Sequence, residues 1–173
     1  MARPPPEPVQ VVKQRRDAAL KALVDGVPYA QFLGIGFDRR GDELTAVLRF
    51  DDQLIGNPMR QALHGGVTAA FLEVTAIITL SWSYLWADIE SGVIDVERLV
   101  AGDLPRLPKT INMTVEYLRA GLPRDAYARA VVSRTGRRYA TVRVEAWQDN
   151  RDRAYAEASG HFLMPPPEGT GRG

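Results

Sequence analysis

ALHGGVTAAFLEVTAIITLSWSY, residues 62–84, decides how the rest of the chain is read. It opens on His64, Gly65 and Gly66 and then runs apolar on nearly every face. Leu72, Val74, Ala76, Ile77, Ile78 and Leu80 form no single stripe, and a helix apolar all round is buried all round. From Gly65 to Tyr84 the only ionisable side chain is Glu73. A lone carboxylate in such a helix needs a reason, because burying an unpaired charge is costly. The paired glycines leave backbone N–H groups bare at a helix N-terminus, a ready anion site. A bare N-terminus and a carboxylate some two and a half turns further on together make a candidate active site.

Working outward, Val9 to Asp25 reads as an amphipathic helix closed by Gly26, with Pro28 to Leu33 as a further short turn. Ile35 to Phe50 alternates as a hairpin around Arg40-Gly41-Asp42. Asp51 to Gln61 is a loop. Beyond the central helix, Leu85–Lys109 is an extended connection with a helical turn over Ile94–Leu99, placed to roof a pocket. Connections of that length in a compact domain are functional or mobile. Thr110–Arg119, Ala126–Arg134, Arg138–Asp149 and Arg153–Met164 read as strands, the last two joined by a turn at residues 149–152. The order predicts an α+β fold, a curled antiparallel sheet wrapped around one long helix. The chain divides into a disordered proline-rich start (1–8), a single domain (9–164) and a disordered tail (165–173). The surplus apolar face of the helix calls for a second copy of the chain.

Composition narrows the function. A formal net charge of +1 gives no case for nucleic acid or an anionic membrane. The absence of cysteine excludes disulfides, thiolate metal sites and a cysteine nucleophile, and His64 and His161 alone do not build a histidine metal site. No metal or separate cofactor is expected. Residues 65–87 are long enough to span a bilayer. But Glu73 near the centre of a span costs at least ~2.5 kcal/mol, so membrane insertion is not expected. The start of the chain has no apolar core of signal-peptide type, and the cytoplasm is the default.

The run IGNPMRQALHGGVTAAFLEV resembles the hotdog-fold acyl-CoA thioesterases, in the branch of the phenylacetate-pathway and Arthrobacter-type 4-hydroxybenzoyl-CoA enzymes. INMTVEYLRAG resembles the strand after their central helix, and VVSRTGRRYATVRVEAW the hairpin that follows. The resemblance covers about residues 28–164. It implies a sheet around a central helix and subunits that pair into a homodimer, with pairing of dimers into a homotetramer as a further step. It places the thioester carbonyl over the helix N-terminus, with the carboxylate supplied by the opposite subunit and no metal. Glu73 matches the catalytic carboxylate, Gly65 the N–H that polarises the carbonyl, and Asn57 the polar side chain of the preceding loop, where Gln61 competes with it. Some relatives carry a hydroxyl four positions after the carboxylate. Ile77 stands there in this chain, with Thr75 and Thr79 as the nearest hydroxyls.

Thioester hydrolysis needs a stabilised oxyanion and an activated nucleophile. A preorganised N–H is worth about 3–4 kcal/mol in the transition state, and Gly65 offers one with the helix dipole behind it. Glu73 is read as general base on water or as direct nucleophile. His64 is counted with the catalytic group, in the role of a ring that caps or orients the loop; His161 is read as filler on the last strand. Coenzyme A carries phosphates, so Gly66, Arg119, Arg137 and Arg138 are the substrate-binding candidates. The reading is an acyl-CoA thioesterase. The rivals are a non-catalytic acyl-CoA-binding hotdog protein and a hotdog dehydratase or hydratase. The dehydratase PGHFPG-like loop is missing here.

Overall fold

The computed structural model describes residues 7–166. The expected disorder of residues 1–8 and 165–173 therefore lies outside the described residues but for Glu7, Pro8, Pro165 and Pro166. Of these, Glu7 is paired with Arg15 at 2.6 Å. Helix α1 spans Val9–Asp25 and buries Ala19, Leu20, Leu23 and Val24. Helix α2, Pro28–Phe32, has its proline at the first helical position, where the missing N–H costs nothing. Strands β1 (Ile35–Arg40) and β2 (Glu43–Leu48) form the expected hairpin, with Arg40 opposite Glu43. Its turn needs Gly41, which sits at φ +62°.

The segment read as a plain loop is more ordered than that. A 3-10 turn, Asp52–Leu54, leads into β3 (Ile55–Asn57), which pairs with β4 (Ala62–Leu63). This small ribbon is fastened from outside itself. His64 N–H donates to Leu54 O and Leu63 N–H to Gly121 O. It delivers the chain to α3, Gly65–Glu90.

The helix runs past Tyr84 because Leu85 and Ile89, both buried, continue its inner face by another turn. The connection is thus shorter than the expected 85–109: Ser91–Pro108, holding α4 (Val96–Val100). It packs back on α1, with Leu104 against Gly26 and Leu99 in the core. Strands β5 (Lys109–Tyr117), β6 (Ala126–Thr135), β7 (Tyr139–Trp147) and β8 (Ala156–Leu163) follow.

All pairings are antiparallel and the main sheet runs β1-β2-β6-β7-β8-β5. Alternation decides its inner face. Ala126, Ala128, Ala140, Val142, Val144, Ala146, Ala156, Ala158 and Phe162 are buried, while Arg143, Glu145, Ser159 and His161 between them are exposed. So many alanines let the sheet close tightly on α3, whose Phe71, Leu72, Ile78 and Leu80 are fully buried. Each such side chain contributes about 1.5–3 kcal/mol.

Among the described residues α3 is the one helix long and apolar enough to cross a membrane, and it lies inside the curl of the sheet. It is not, however, buried all round. Ala69, Ala70, Glu73 and Ile77 form a half-buried stripe down one side, spaced three and four apart as one helix face. The sheet wraps the other sides and stops short of this one. The strand next to the opening is β5, an edge strand whose inner row of Ile111, Met113, Val115 and Tyr117 is likewise half-covered or exposed.

Candidate active site at the start of the central helix

The first turn of α3 is set by His64. Its backbone is extended (φ −63°, ψ 133°), its carbonyl accepts from Thr68 N–H at 3.1 Å, and its Nδ1 accepts from Gly66 N–H at 2.9 Å. A histidine in the N-cap position thus satisfies one of the bare donors of the turn with its ring, while its carbonyl accepts the first regular bond of the helix. Because Nδ1 accepts, the ring carries its hydrogen on Nε2. Gly66 N–H, counted with the substrate-binding candidates, is therefore already bonded within the chain. Gly65 N–H donates to no atom among the described residues, and Gly65 lines an open groove of about 390 Å³.

The same groove is lined by Leu63, Thr68, Tyr117, Arg119, Gly121 and Tyr155. An added Cβ at Gly65 would meet the Tyr117 ring at 3.5 Å, an ordinary contact, so close packing does not account for that glycine. At Gly66 a Cβ would press on His64 Nδ1 at 3.0 Å.

Sequence reasoning passed over both tyrosines. Tyr117 donates its hydroxyl to Gly65 O at 2.9 Å. Tyr155 is buried, and burial pushes its hydroxyl pKa up, so it stays protonated. The Thr68 hydroxyl lies close to it, but Tyr155 Oη makes no hydrogen bond among the described residues. The alternation of INMTVEY places Tyr117 on the inner face of β5, which is the signal that a sequence reading could have used.

The remaining candidates are scattered. Glu73 sits half-buried on the open stripe of α3, without a hydrogen bond or ion pair among the described residues. It lies eight residues from Gly65, about 12 Å along the axis. Asn57 Oδ1 accepts from Arg60 N–H, and Gln61, at φ +48°, donates to Pro58 O, so both side chains brace the β3–β4 turn. Thr75 Oγ1 is committed to Phe71 O. Thr79 faces a different groove, of about 440 Å³, with Trp82, Trp86 and Arg129. Neither threonine stands in at the Ile77 position. His161 is exposed, with Nδ1 2.9 Å from Asn112 Oδ1.

The arginines part company. Arg119 lines the Gly65 groove and reaches Ala154 O, whereas Arg137 and Arg138 lie in the β6–β7 turn. The length of β7, about 27 Å at ~3.4 Å per residue, separates the two ends within one chain. Residues 91–108 line neither of these grooves; Val93, Ile94, Arg98 and Leu104 line a separate, smaller one of about 150 Å³. No cluster of three or more histidine and carboxylate ligands is present among the described residues.

The family model described as acyl-CoA thioesterase N-terminal domain matches residues 56–164. The medium/long-chain acyl-CoA thioesterase YigI of Salmonella typhimurium is 31% identical over 141 residues, covering 80% of this chain and 86% of that protein. A Shewanella oneidensis protein related to the thioesterase superfamily superposes with a TM-score of 0.67 at 27% identity, over 87% of this chain and 97% of that one. A Bacillus halodurans protein whose structure was determined with CoA superposes with a TM-score of 0.58 at 18% identity, over 88% and 93%. With the helix-in-sheet architecture, these matches make the chain a member of the hotdog-fold acyl-CoA thioesterase family and a thioester hydrolase.

Proposed function

We propose that this protein hydrolyses medium- to long-chain acyl-CoA thioesters to the free acid and coenzyme A, acting as a homodimer. The observation that carries the reading is the unpartnered Gly65 N–H at the head of a 26-residue helix, opening on a groove large enough for a thioester. The thioester carbonyl accepts from Gly65 N–H, where the helix dipole favours the developing oxyanion. Glu73 either takes the proton of an attacking water or attacks the carbonyl itself. The chain-length assignment draws on the YigI relatives.

The dimer is supported by what one chain leaves open. Gly65 and its own Glu73 are too far apart to share a carbonyl. The half-buried stripe of α3 adjoins a free edge strand, β5, and uncovered edges and apolar stripes are surfaces that a second copy covers. Antiparallel pairing brings each Glu73 towards the other subunit's Gly65 and makes two sites per dimer. Arg119, at the groove mouth, meets the phosphates of coenzyme A.

Incubation of the purified protein with octanoyl-, palmitoyl- and phenylacetyl-CoA and a thiol reagent, with light scattering in parallel, tests this. Thiol release fastest from the aliphatic substrates, by a particle of about twice 19.1 kDa or more, is expected. Fastest release from phenylacetyl-CoA moves the substrate class to the aromatic branch that the HGG-to-Glu73 run resembles. Binding without release supports an acyl-CoA sensor, and a stable monomer removes the shared site.

A further inference from the structure

We propose that Tyr117 and His64 are positioning residues that clamp the Gly65–Gly66 peptide from its two ends and so stop rotation about the Gly65 Cα from re-aiming the adjoining His64–Gly65 peptide, which carries the Gly65 donor. The inference rests on the reading of Gly65 as the group that polarises the thioester. A peptide unit is planar, so holding its oxygen and its hydrogen holds the whole unit. Here the oxygen side, Gly65 C=O, accepts from Tyr117 Oη at 2.9 Å, and the hydrogen side, Gly66 N–H, donates to His64 Nδ1 at 2.9 Å. The Gly65 N–H itself belongs to the preceding His64–Gly65 peptide, which is held at its oxygen, His64 C=O accepting from Thr68 N–H at 3.1 Å; with both flanking peptides held, the backbone at Gly65 is fixed.

The need for a clamp follows from the sequence. Two successive glycines have the greatest backbone freedom of any dipeptide. An oxyanion donor works only if it is already aimed when charge develops. The glycines leave the approach to Gly65 N–H bare of side chains, and the clamp removes the mobility that comes with them.

Tyr117 is placed for this. It is 56% exposed, so its ring adds little to the core, yet its hydroxyl reaches back into the first turn of α3 from β5, 52 residues away in the chain. That bond also ties the strand proposed to meet the second subunit to the helix end proposed to hold the carbonyl.

Steady-state kinetics of Tyr117→Phe, His64→Ala, His64→Asn and the Tyr117→Phe/His64→Ala pair test it. Tyr117→Phe removes a single oxygen from an exposed ring, so folding is retained. One lost hydrogen bond corresponds to about a tenfold fall in kcat, with KM within about twofold. His64→Ala should lose as much, whereas His64→Asn, whose side-chain oxygen can still accept at the N-cap, should stay within about threefold of the wild type. Because both residues hold one peptide, the double variant should fall short of the product of the single losses.

Wild-type kcat in Tyr117→Phe, or a lowered melting temperature with unchanged kcat, overturns the clamp and leaves the thioesterase reading standing. Gly65→Pro, which deletes the donor and fills its approach with the ring Cδ, separates the two ideas. Wild-type turnover in that variant overturns the reading of Gly65 and the clamp together.

Discussion

At the first turn of α3, the Gly66 N–H, the Gly65 carbonyl and the His64 carbonyl each have a partner within the chain. Two turns along the same helix, Glu73 has no hydrogen bond or ion pair among the described residues and stands half-open beside Ala69, Ala70 and Ile77. A carboxylate left on an apolar stripe without a donor is an energetic loose end, while the turn eight residues earlier has almost none. One chain finishes the electrophilic half of the proposed site and leaves the nucleophilic half waiting. On the dimer reading that division is the mechanism. Each subunit brings a finished carbonyl site and an unfinished base, and pairing completes both.

The largest expected effect tests the unfinished half. Glu73→Gln keeps the shape and removes the base, and kcat should fall at least ~100-fold. A circular dichroism spectrum and melting temperature near those of the wild type should show that the fold is kept, since the side chain is half-exposed and unpaired. Gly65→Pro tests the finished half. Proline is welcome at the first helical position, and His64 already has the extended backbone that a residue before proline needs. The substitution therefore deletes the N–H and sets a ring methylene in its place, with the helix start otherwise kept. If each site joins Glu73 of one subunit to Gly65 of the other, mixing the two inactive variants should restore roughly a quarter of wild-type activity by random pairing. No recovery after confirmed subunit exchange would place both groups in one chain and overturn the division between the two halves.

The parts legible in the sequence were those set by local pattern. The start of α3, the Gly41 hairpin and the alternating strands stand within a few residues of where periodicity puts them, β5 at 109–117 against an expected 110–119. What was not legible depended on distant partners. The β3–β4 ribbon exists because Leu54 and Gly121 receive its hydrogen bonds, and nothing within residues 51–61 announces that. Nor does the composition of α3 say which face the sheet leaves open, because Ala69, Ala70 and Ile77 would suit a core equally well. Tyr117 was missed for the same reason, its bond to Gly65 being formed only once β5 lies against the helix. Residue type alone groups Arg137 and Arg138 with Arg119, and the length of β7 divides them.

That division gives an intermediate effect. Arg119 lines the finished half, so Arg119→Ala should raise KM for acyl-CoA about five- to tenfold with kcat nearly kept, the pattern of a lost phosphate contact. The paired Arg137→Ala/Arg138→Ala variant should change KM by no more than about twofold. Steady-state titration with one acyl-CoA decides between them. An equal rise in both variants would mean that the partner's β6–β7 turn reaches the groove, so that the carbonyl site too is shared rather than finished within one chain.

The smallest effect concerns what keeps the finished end in place. Asp125 closes the segment that carries Arg119 and Gly121, and it fastens that segment to the end of β2. Its carboxylate accepts from Phe50 N–H at 2.8 Å and from Arg49 Nη1 at 2.7 Å. The Phe50 N–H first, and then Arg49, hold its carboxyl below the usual carboxylate range. A carboxylate whose pKa is lowered in the folded state stabilises the fold fully above the unfolded value, near pH 4. It loses that contribution as the pH falls through the lower folded value. Asp125 is one-third exposed, so solvent screens part of this, and about 1 kcal/mol is a fair size. For a chain of this length that is roughly 2–4 °C of melting temperature. Asp125→Asn keeps an acceptor for Phe50 and removes the charge. Its melting temperature should therefore lie a few degrees below the wild type from pH 5 to 7, and the two curves should converge below about pH 4. A gap that persists unchanged at pH 3 would mean that packing of the loop, not its charge, holds the end of the sheet against the start of α3.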